Sequence, residues 1–273
     1  MTAKKPLLVV DGDSLAHRAY HALPKKIKHN AVVGFTNMLV RLWEMENPRA
    51  VFVGWDTLTV PTYRHEAFAA YQSGREFDDS LLEQLDMLPE LVQSLGFAAG
   101  KAAGYEADDF VAAAVRSEEK RRGAAVVVTS DRDLFQLASD RTVIVTPVRG
   151  VSELARIGPA EVRERYGVEP EQVPDFIALR GDPSDRLPGA KGVGPKTAAT
   201  ILKQYGTLEA ALDAGRFPKQ REELELYRRI ATLDASAPLP PLRDRSPTWA
   251  EASSLLESWG LGNLAGRIAA RSA

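Results

Sequence analysis

The chain has 273 residues, 44% hydrophobic and 26% charged, with 35 Lys and Arg against 37 Asp and Glu for a formal net charge of −2. That composition excludes disorder over most of the length, and the absence of Cys excludes disulfides, thiol catalysis and cysteine–zinc sites. Only four His (17, 21, 29 and 65) are present, no run approaches the ~18 apolar residues of a membrane span, and the overall charge by itself predicts no nucleic-acid binding.

Leu7 to Val10 is a short apolar run ending in Asp11-Gly12-Asp13. It predicts a buried strand feeding a loop, with Ser14 as a helix N-cap, and is too short for the core of a leader peptide. Helical spacing of Val32, Phe35, Leu39, Leu42 and Trp43 predicts a helix over 31–45. A second buried strand, 50–54, also ends near an acid, Asp56. Helices follow over 81–95 and 106–120, then a strand over 125–129 that runs into Ser130-Asp131-Arg132-Asp133, and a further strand over 143–145. Strands alternating with helices predict a parallel sheet covered by helices on both faces.

After about residue 150 the strand-like runs stop. Short helices separated by Gly and Pro are expected over 161–167, 171–180, 195–204 and 220–233, then an extended linker over 237–243 and a closing helical pair over 249–259 and 264–270.

Ligands of parallel α/β sheets bind beyond the carboxyl ends of the strands. Three of the expected strands deliver acids there: Asp11, Asp56, and the pair Asp131 and Asp133. Any one of these suits a solvated loop or a helix cap; three on one rim suggest a site. Glu106, Asp108 and Asp109 fall in the first turn of another helix. The helix dipole favours acids at that position but does not explain two adjacent, mutually repelling ones. Asp182 and Asp185 form a fifth group within a turn signal. One like-charge pair at ~4 Å costs about 4 kcal/mol at an effective dielectric of 20, so such a cluster must take up protons or bind cations. Oxygen ligands without His or Cys select Mg²⁺ or Mn²⁺, and acid-held metals beside phosphate-binding helices suggest two-metal phosphodiester hydrolysis.

The phosphate-binding element is the run 187–198, in which Gly192-Val193-Gly194 precedes Pro195 at a helix start, and residues 186–203 carry Arg186, Lys191, Lys196 and Lys203 without an acid. This is a helix-hairpin-helix pattern, and Lys191, Gly192, Gly194, Lys196 and Thr197 are its candidate DNA contacts. A second acid-free basic stretch, 18–41, holds Arg18, Lys25, Lys26, Lys28 and Arg41. An ordinary αα turn and a solvated loop are the plainer accounts of the two.

Six stretches together resemble the 5′→3′ exonuclease/flap endonuclease family, most closely the N-terminal 5′-nuclease domain of bacterial DNA polymerase I. They are LLVVDGDSLAHRAYHALP (7–24), NAVVGFTNML (30–39), YRHEAFAAYQSGR (63–75), GYEADD (104–109), VVTSDRDLFQL (127–137) and ALRGDPSDRLPGAKGVGPKTAATIL (178–202). The resemblance implies a PIN-like α/β sheet flanked by helices (1–172), a helix-hairpin-helix region (173–235), a C-terminal linker and helices (236–273), and a helical arch over about 60–80. It implies one metal site from Asp11, Asp56, Glu106 and Asp108 and a second from Asp131, Asp133 and Asp182. Asp109 and Asp185 would act at longer range or through water, and Asp13 has no metal role. By the same resemblance, Arg64, Tyr71 and Arg75 contact the scissile phosphate or the 5′ end, and Arg18 lies near the site. A potassium ion at the hairpin, DNA with a 5′ flap or free 5′ end as substrate, a DNA polymerase and ligase as functional partners, and a monomeric, cytoplasmic, nucleoid-associated, free-standing nuclease complete the expectation.

Two departures from the family pattern are Gln72, where lysine is usual, and Arg132, where lysine is also usual. The first replaces an ammonium by a neutral amide and predicts a weaker grip by the arch. Three alternatives stand beside the resemblance: a haloacid-dehalogenase-type phosphatase with Asp11 as nucleophile and Asp13 as acid–base, a non-catalytic DNA-structure binder, and an RNA-directed PIN nuclease.

Overall fold

The computed structural model describes residues 5–74, 76–149, 151 and 153–272. Six strands form one sheet: β1 (Leu7–Asp11), β2 (Ala50–Gly54), β3 (Ala98–Gly100), β4 (Ala125–Val128), β5 (Thr142–Arg149) and β6 (Glu153–Ile157). Their order is β3-β2-β1-β4-β5-β6; β1 to β5 run parallel and β6 is antiparallel to β5. The helices in the first half are α1 (Gly12–Ala22), α2 (Asn30–Glu46), α3 (Tyr63–Ala67), α4 (Asp79–Ser94) and α5 (Ala107–Lys120). Those that follow are α6 (Pro159–Tyr166), α7 (Val173–Arg180), α8 (Pro195–Tyr205), α9 (Leu208–Asp213), α10 (Arg221–Ala231), α11 (Trp249–Ser258) and α12 (Gly262–Ala269).

The central strands are apolar up to their carboxyl ends because helices cover both faces. Their alternation assigns each residue to a side. Leu7, Val9, Phe52 and Val127 face a core shared with α5, α7, α8 and α10. Leu8, Val10, Val53 and Val128 face a core shared with α1, α2, α4, α11 and α12. The expected helix-hairpin-helix region and the closing helical pair therefore share their cores with opposite faces of the sheet. The extended segment 237–248 connects them along the sheet's lower end, where Arg49 pairs with Glu118, donates to the Leu242 carbonyl (2.8 Å) and pairs with Asp244 (2.8 Å).

Several expectations need correction. Strands do not stop at residue 150, since β6 pairs with β5; its five residues, Glu-Leu-Ala-Arg-Ile, bury only Ile157 and carry little hydrophobic signal. β3 has only three residues, too short for a periodicity reading. The cap of α1 is Asp11, not Ser14: Asp11 Oδ1 accepts from the Ser14 N–H at 3.1 Å. Among the described residues between 60 and 80, the helix before α4 is the five-residue α3, followed by turns through residue 74.

Candidate active site

The parallel strands end on one rim, and two glycines allow their extensions to crowd together there. A Cβ on Gly12 would stand 2.6 Å from the Trp55 ring and 2.7 Å from the Gly54 carbonyl oxygen; one on Gly54 would stand 2.6 Å from the Ala107 carbonyl oxygen. Such distances are below any normal contact, so only glycine permits this approach. It draws together Asp11 and Asp13 on either side of Gly12, Asp56 after β2, and the start of α5.

The result is a cavity of about 1020 Å³ lined by Asp11, Asp13, Asp56, Glu106, Asp108, Asp131, Asp133, Asp182 and Asp185. Eight of the nine acids singled out in the sequence face it. Asp109 does not, and Asp13, given no metal role, does. Arg18, Tyr71, Gln72, Arg132, Arg180, His17 and His21 also line the cavity. A smaller cavity of about 490 Å³ at the other end of the sheet, between β3 and residues 240–245, is lined by no carboxylate.

Most of these acids are fixed in place. Asp11 Oδ2 accepts from the Thr129 hydroxyl at 2.9 Å while Oδ1 caps α1. Asp56 Oδ1 accepts from the Ala107 N–H (2.7 Å), and the Asp56 N–H donates to Asp13 Oδ2 (2.8 Å). Glu106 accepts from the Thr62 hydroxyl (2.6 Å) and the Tyr71 hydroxyl (2.9 Å). Asp182 Oδ1 accepts from the N–H (2.9 Å) and hydroxyl (2.5 Å) of Ser184. The 182–187 turn is closed by reciprocal bonds between Asp182 and Leu187, both 2.8 Å. It begins at Gly181, whose φ of 81° favours glycine and where a Cβ would meet the Leu187 and Pro188 carbonyls at 2.7 Å.

Burial and mutual repulsion favour the protonated form of four of these carboxyls. The carboxyls of Asp11 and Asp13 are held well above the usual range, first by burial and then by neighbouring acids, Asp131 and Asp56 respectively. Asp108 is raised by burial against the opposing pull of Arg64. Asp133 is pushed up to about 8 by burial, Asp131 and Asp185. Among the described residues, no three His, Cys, Asp or Glu groups already stand together as a formed metal site. The donor set is nonetheless rich in carboxylate oxygen, and a divalent cation would offset the repulsion that favours protons on Asp11, Asp13, Asp108 and Asp133.

Arg64 is not where a phosphate contact would stand. Its side chain is 1% exposed, its Nε donates to the Ile230 carbonyl (3.0 Å), and its two Nη atoms bond Asp109 at 3.0 and 2.7 Å. It lies 3.3 Å from Asp108 and 3.4 Å from Glu106. Asp109 in turn accepts from the Asp234 N–H (2.8 Å) and the Glu106 N–H (3.1 Å), which ties the start of α5 to the helical region. Arg64 and Asp109 thus form the wall behind the acids. Tyr71 is buried in the cavity lining, and Gln72 donates to its hydroxyl (2.8 Å) and to Asp185 (3.1 Å). Arg18 donates to the Val148 carbonyl at 2.9 Å. Arg75 lies outside the described residues.

In the hairpin, Lys191, Gly192, Gly194, Lys196 and Thr197 are exposed at the start of α8, and a Cβ on Gly192 or Gly194 would meet no atom within 4 Å. Lys25 pairs with Asp78 (2.7 Å), Lys28 donates to the Trp259 carbonyl (2.9 Å), and Lys26 is exposed. Thr129 and Arg180 carry no site signal in the sequence, whereas Asp13 enters there as the acid–base of the phosphatase alternative and Gln72 as a departure from the family pattern. For Asp13 a signal existed, its place two residues after the strand-end Asp11.

Residues 6–167 match the model of the 5′-3′ exonuclease N-terminal resolvase-like domain, and residues 168–249 that of the 5′-3′ exonuclease C-terminal SAM fold. The chain belongs to the 5′-3′ exonuclease family. It is 42% identical over 219 residues to DNA polymerase I of Mycobacterium tuberculosis, covering 77% of this chain and 24% of that protein. With DNA polymerase I of Bacillus caldotenax it shares 38% identity over 253 residues, 89% of this chain and 28% of the relative. The chain thus spans about a quarter of the length of these relatives. The fold is that of the T5 5′-exonuclease in a structure with zinc bound (TM-score 0.73, 20% identity, 96% of this chain and 98% of that one). It is also that of the catalytic core of Rad2 in complex with a DNA substrate (TM-score 0.65, 16% identity, 98% and 91%). No helix among the described residues of this family member is long and apolar enough to cross a membrane.

Proposed function

We propose that this member of the 5′-3′ exonuclease family hydrolyses phosphodiester bonds of DNA at free 5′ ends and 5′ flaps, with two divalent ions, Mg²⁺ or Mn²⁺. The observation that carries the reading is the single cavity walled by nine carboxylates at the ends of β1, β2 and β4, α5 and the 182–187 turn. Asp11, Asp56, Glu106 and Asp108 would hold one ion, and Asp131, Asp133 and Asp182 the other, with Asp185 acting through water. Binding would draw these side chains closer than they now stand. When bound, such ions lower the pKa of water towards neutrality and offset charge on the phosphate.

The chain's own groups supply the rest. Thr129, Ser14 and Ala107 orient Asp11 and Asp56 through hydrogen bonds, so that few rotamers remain to be fixed on binding. Thr62 and Tyr71 hold Glu106. Arg64 offsets charge from behind. The exposed start of α8, with Lys191, Gly192, Gly194, Lys196 and Thr197, would take duplex phosphates, and Lys25, Lys26 and Lys28 a second stretch of backbone. Backbone contacts of this kind select shape and ends rather than base sequence. Arg18 and Arg75 would meet the strand near the cavity, and a potassium ion would suit the hairpin. The division at 172 and 235 would separate three regions, a nuclease core, a DNA-binding helix-hairpin-helix region, and a C-terminal linker with its helices. A polymerase and a ligase would be functional partners for the product gap and nick in replication or repair, in a monomeric enzyme of the cytoplasm or nucleoid.

The test is incubation of a 5′-labelled flap duplex with the protein and Mg²⁺ or Mn²⁺. Release of a short 5′ fragment from DNA, and slower release from an RNA flap, is the expected result. No release with either metal would overturn the reading, and hydrolysis of small phosphate esters instead would favour the phosphatase alternative.

A further inference from the structure

We propose that Arg180 is a phosphate contact of the carboxylate cavity, its guanidinium bridging Asp182 and a phosphate oxygen of the bound strand. The inference rests on the nuclease reading above and names a residue for it. A phosphodiester approaching nine carboxylates meets charge of its own sign. Arg64 cannot answer it from within the wall. Among the described residues, the arginines that do line the cavity are Arg18, Arg132 and Arg180.

Arg180 is the best prepared of these. It is the last residue of α7, two before Asp182. Its guanidinium lies over the rings of Phe176 (5.4 Å to the centroid) and Tyr166 (5.9 Å). Those rings stack on each other at 5.0 Å and 21°. Stacking fixes the plane of a guanidinium without consuming its N–H groups. The side chain is only 19% exposed, so its donors are largely desolvated. Among the described residues its single hydrogen-bond partner is Asp182, at a long 3.4 Å, and its Nε is buried with no partner. A guanidinium has five N–H donors, and most of these are uncommitted. Nor does Asp182 need Arg180 for its orientation, since Ser184 already holds Oδ1 twice. A rigid, partly desolvated fork with spare donors, facing a cavity proposed to take a phosphodiester, matches the geometry in which arginine binds phosphate.

The experiment compares the unaltered protein with Arg180→Met and Arg180→Lys. Three quantities are read: flap cleavage in Mg²⁺, flap binding in EDTA by fluorescence anisotropy, and Mn²⁺ affinity without DNA by electron paramagnetic resonance. Both DNA measurements are repeated on flaps carrying a neutral methylphosphonate at each single position around the junction. Loss of one charged hydrogen bond to phosphate predicts a fall of about 10- to 100-fold in kcat/KM for Arg180→Met. Arg180→Lys should recover part of it, and Mn²⁺ affinity should stay within about twofold. At one position the methylphosphonate should weaken the unaltered protein and cost Arg180→Met nothing further. If every methylphosphonate costs both proteins equally, Arg180 acts through Asp182 or through folding and the proposal is overturned. Normal cleavage by Arg180→Met would also overturn it. If the unaltered protein cuts no substrate, the nuclease reading fails, and the EDTA binding series still decides the role of Arg180.

Discussion

Arg64 and Asp109 meet fork to fork, with nitrogen–oxygen distances of 2.7 and 3.0 Å, where neither side chain is meaningfully exposed. Removing one partner of a buried pair leaves the other charge uncompensated, at a cost of about 3–5 kcal/mol. Arg64→Ala should therefore lower thermal and urea stability in the metal-free protein, before any activity is measured. An activity loss at full stability would contradict the structural role given to Arg64 here.

The carboxyls of Asp11, Asp13, Asp108 and Asp133 stand above their unfolded values in the folded protein. The folded state therefore binds these protons more tightly. The associated stability is full below the unfolded pKa near 3.8 and is lost as pH rises, for Asp133 through about 8. A cation takes over the protons' role, so the rise in melting temperature on adding Mg²⁺ should grow from pH 5 to pH 8. Differential scanning calorimetry with and without the metal checks the sign; an increment that shrinks with pH would contradict the account.

Asp131 lines the cavity but is exposed, so its replacement does not open a core. Asp131→Asn should cut cleavage by several kcal/mol of transition-state stabilisation, on the order of 10³-fold. Flap binding in EDTA should stay within about threefold. Single-turnover rates and anisotropy separate the two effects.

Gln72 spans from the Tyr71 hydroxyl to Asp185, joining one side of the cavity to the 182–187 turn. Gln72→Ala should cost about 1 kcal/mol of stability, the worth of a typical hydrogen bond. Gln72→Lys brings an ammonium to the same place and should tighten binding of a 5′-phosphorylated strand. The slope of log K against log salt should steepen by about 0.7–0.9, one further phosphate neutralised.

Much of the architecture was legible because the central strands are buried on both faces, so Leu7–Val10, 50–54 and 125–129 read as continuous apolar runs. β3 was hidden by its three-residue length, and β6 by a short run at the sheet edge that interleaves Glu153 and Arg156 with apolar residues and buries only Ile157. Strand-end acids were legible for the same reason as the sheet, since parallel strands send their carboxyl ends to one rim. The direction in which an acid faces within the first turn of α5 was not. Asp108 faces the cavity while Asp109 turns back to Arg64, a partner 45 positions away in sequence. The same long-range pairing removed Arg64 from the expected phosphate contacts. Arg180 escaped notice because its distinguishing property is the stacked pair beneath it, which no local pattern announces.

The two-sided sheet also bears on how the molecule comes into being. The face that carries Leu8, Val10 and Val53 is completed by Trp249, Leu256, Leu264 and Ile268. These emerge from the ribosome on the order of 200 residues after β2, some 10–40 s later at ordinary elongation speeds. Until then the nascent chain exposes a sticky apolar surface. A chaperone that shields hydrophobic segments during synthesis should raise the yield of active protein, and slowing translation without one should lower it.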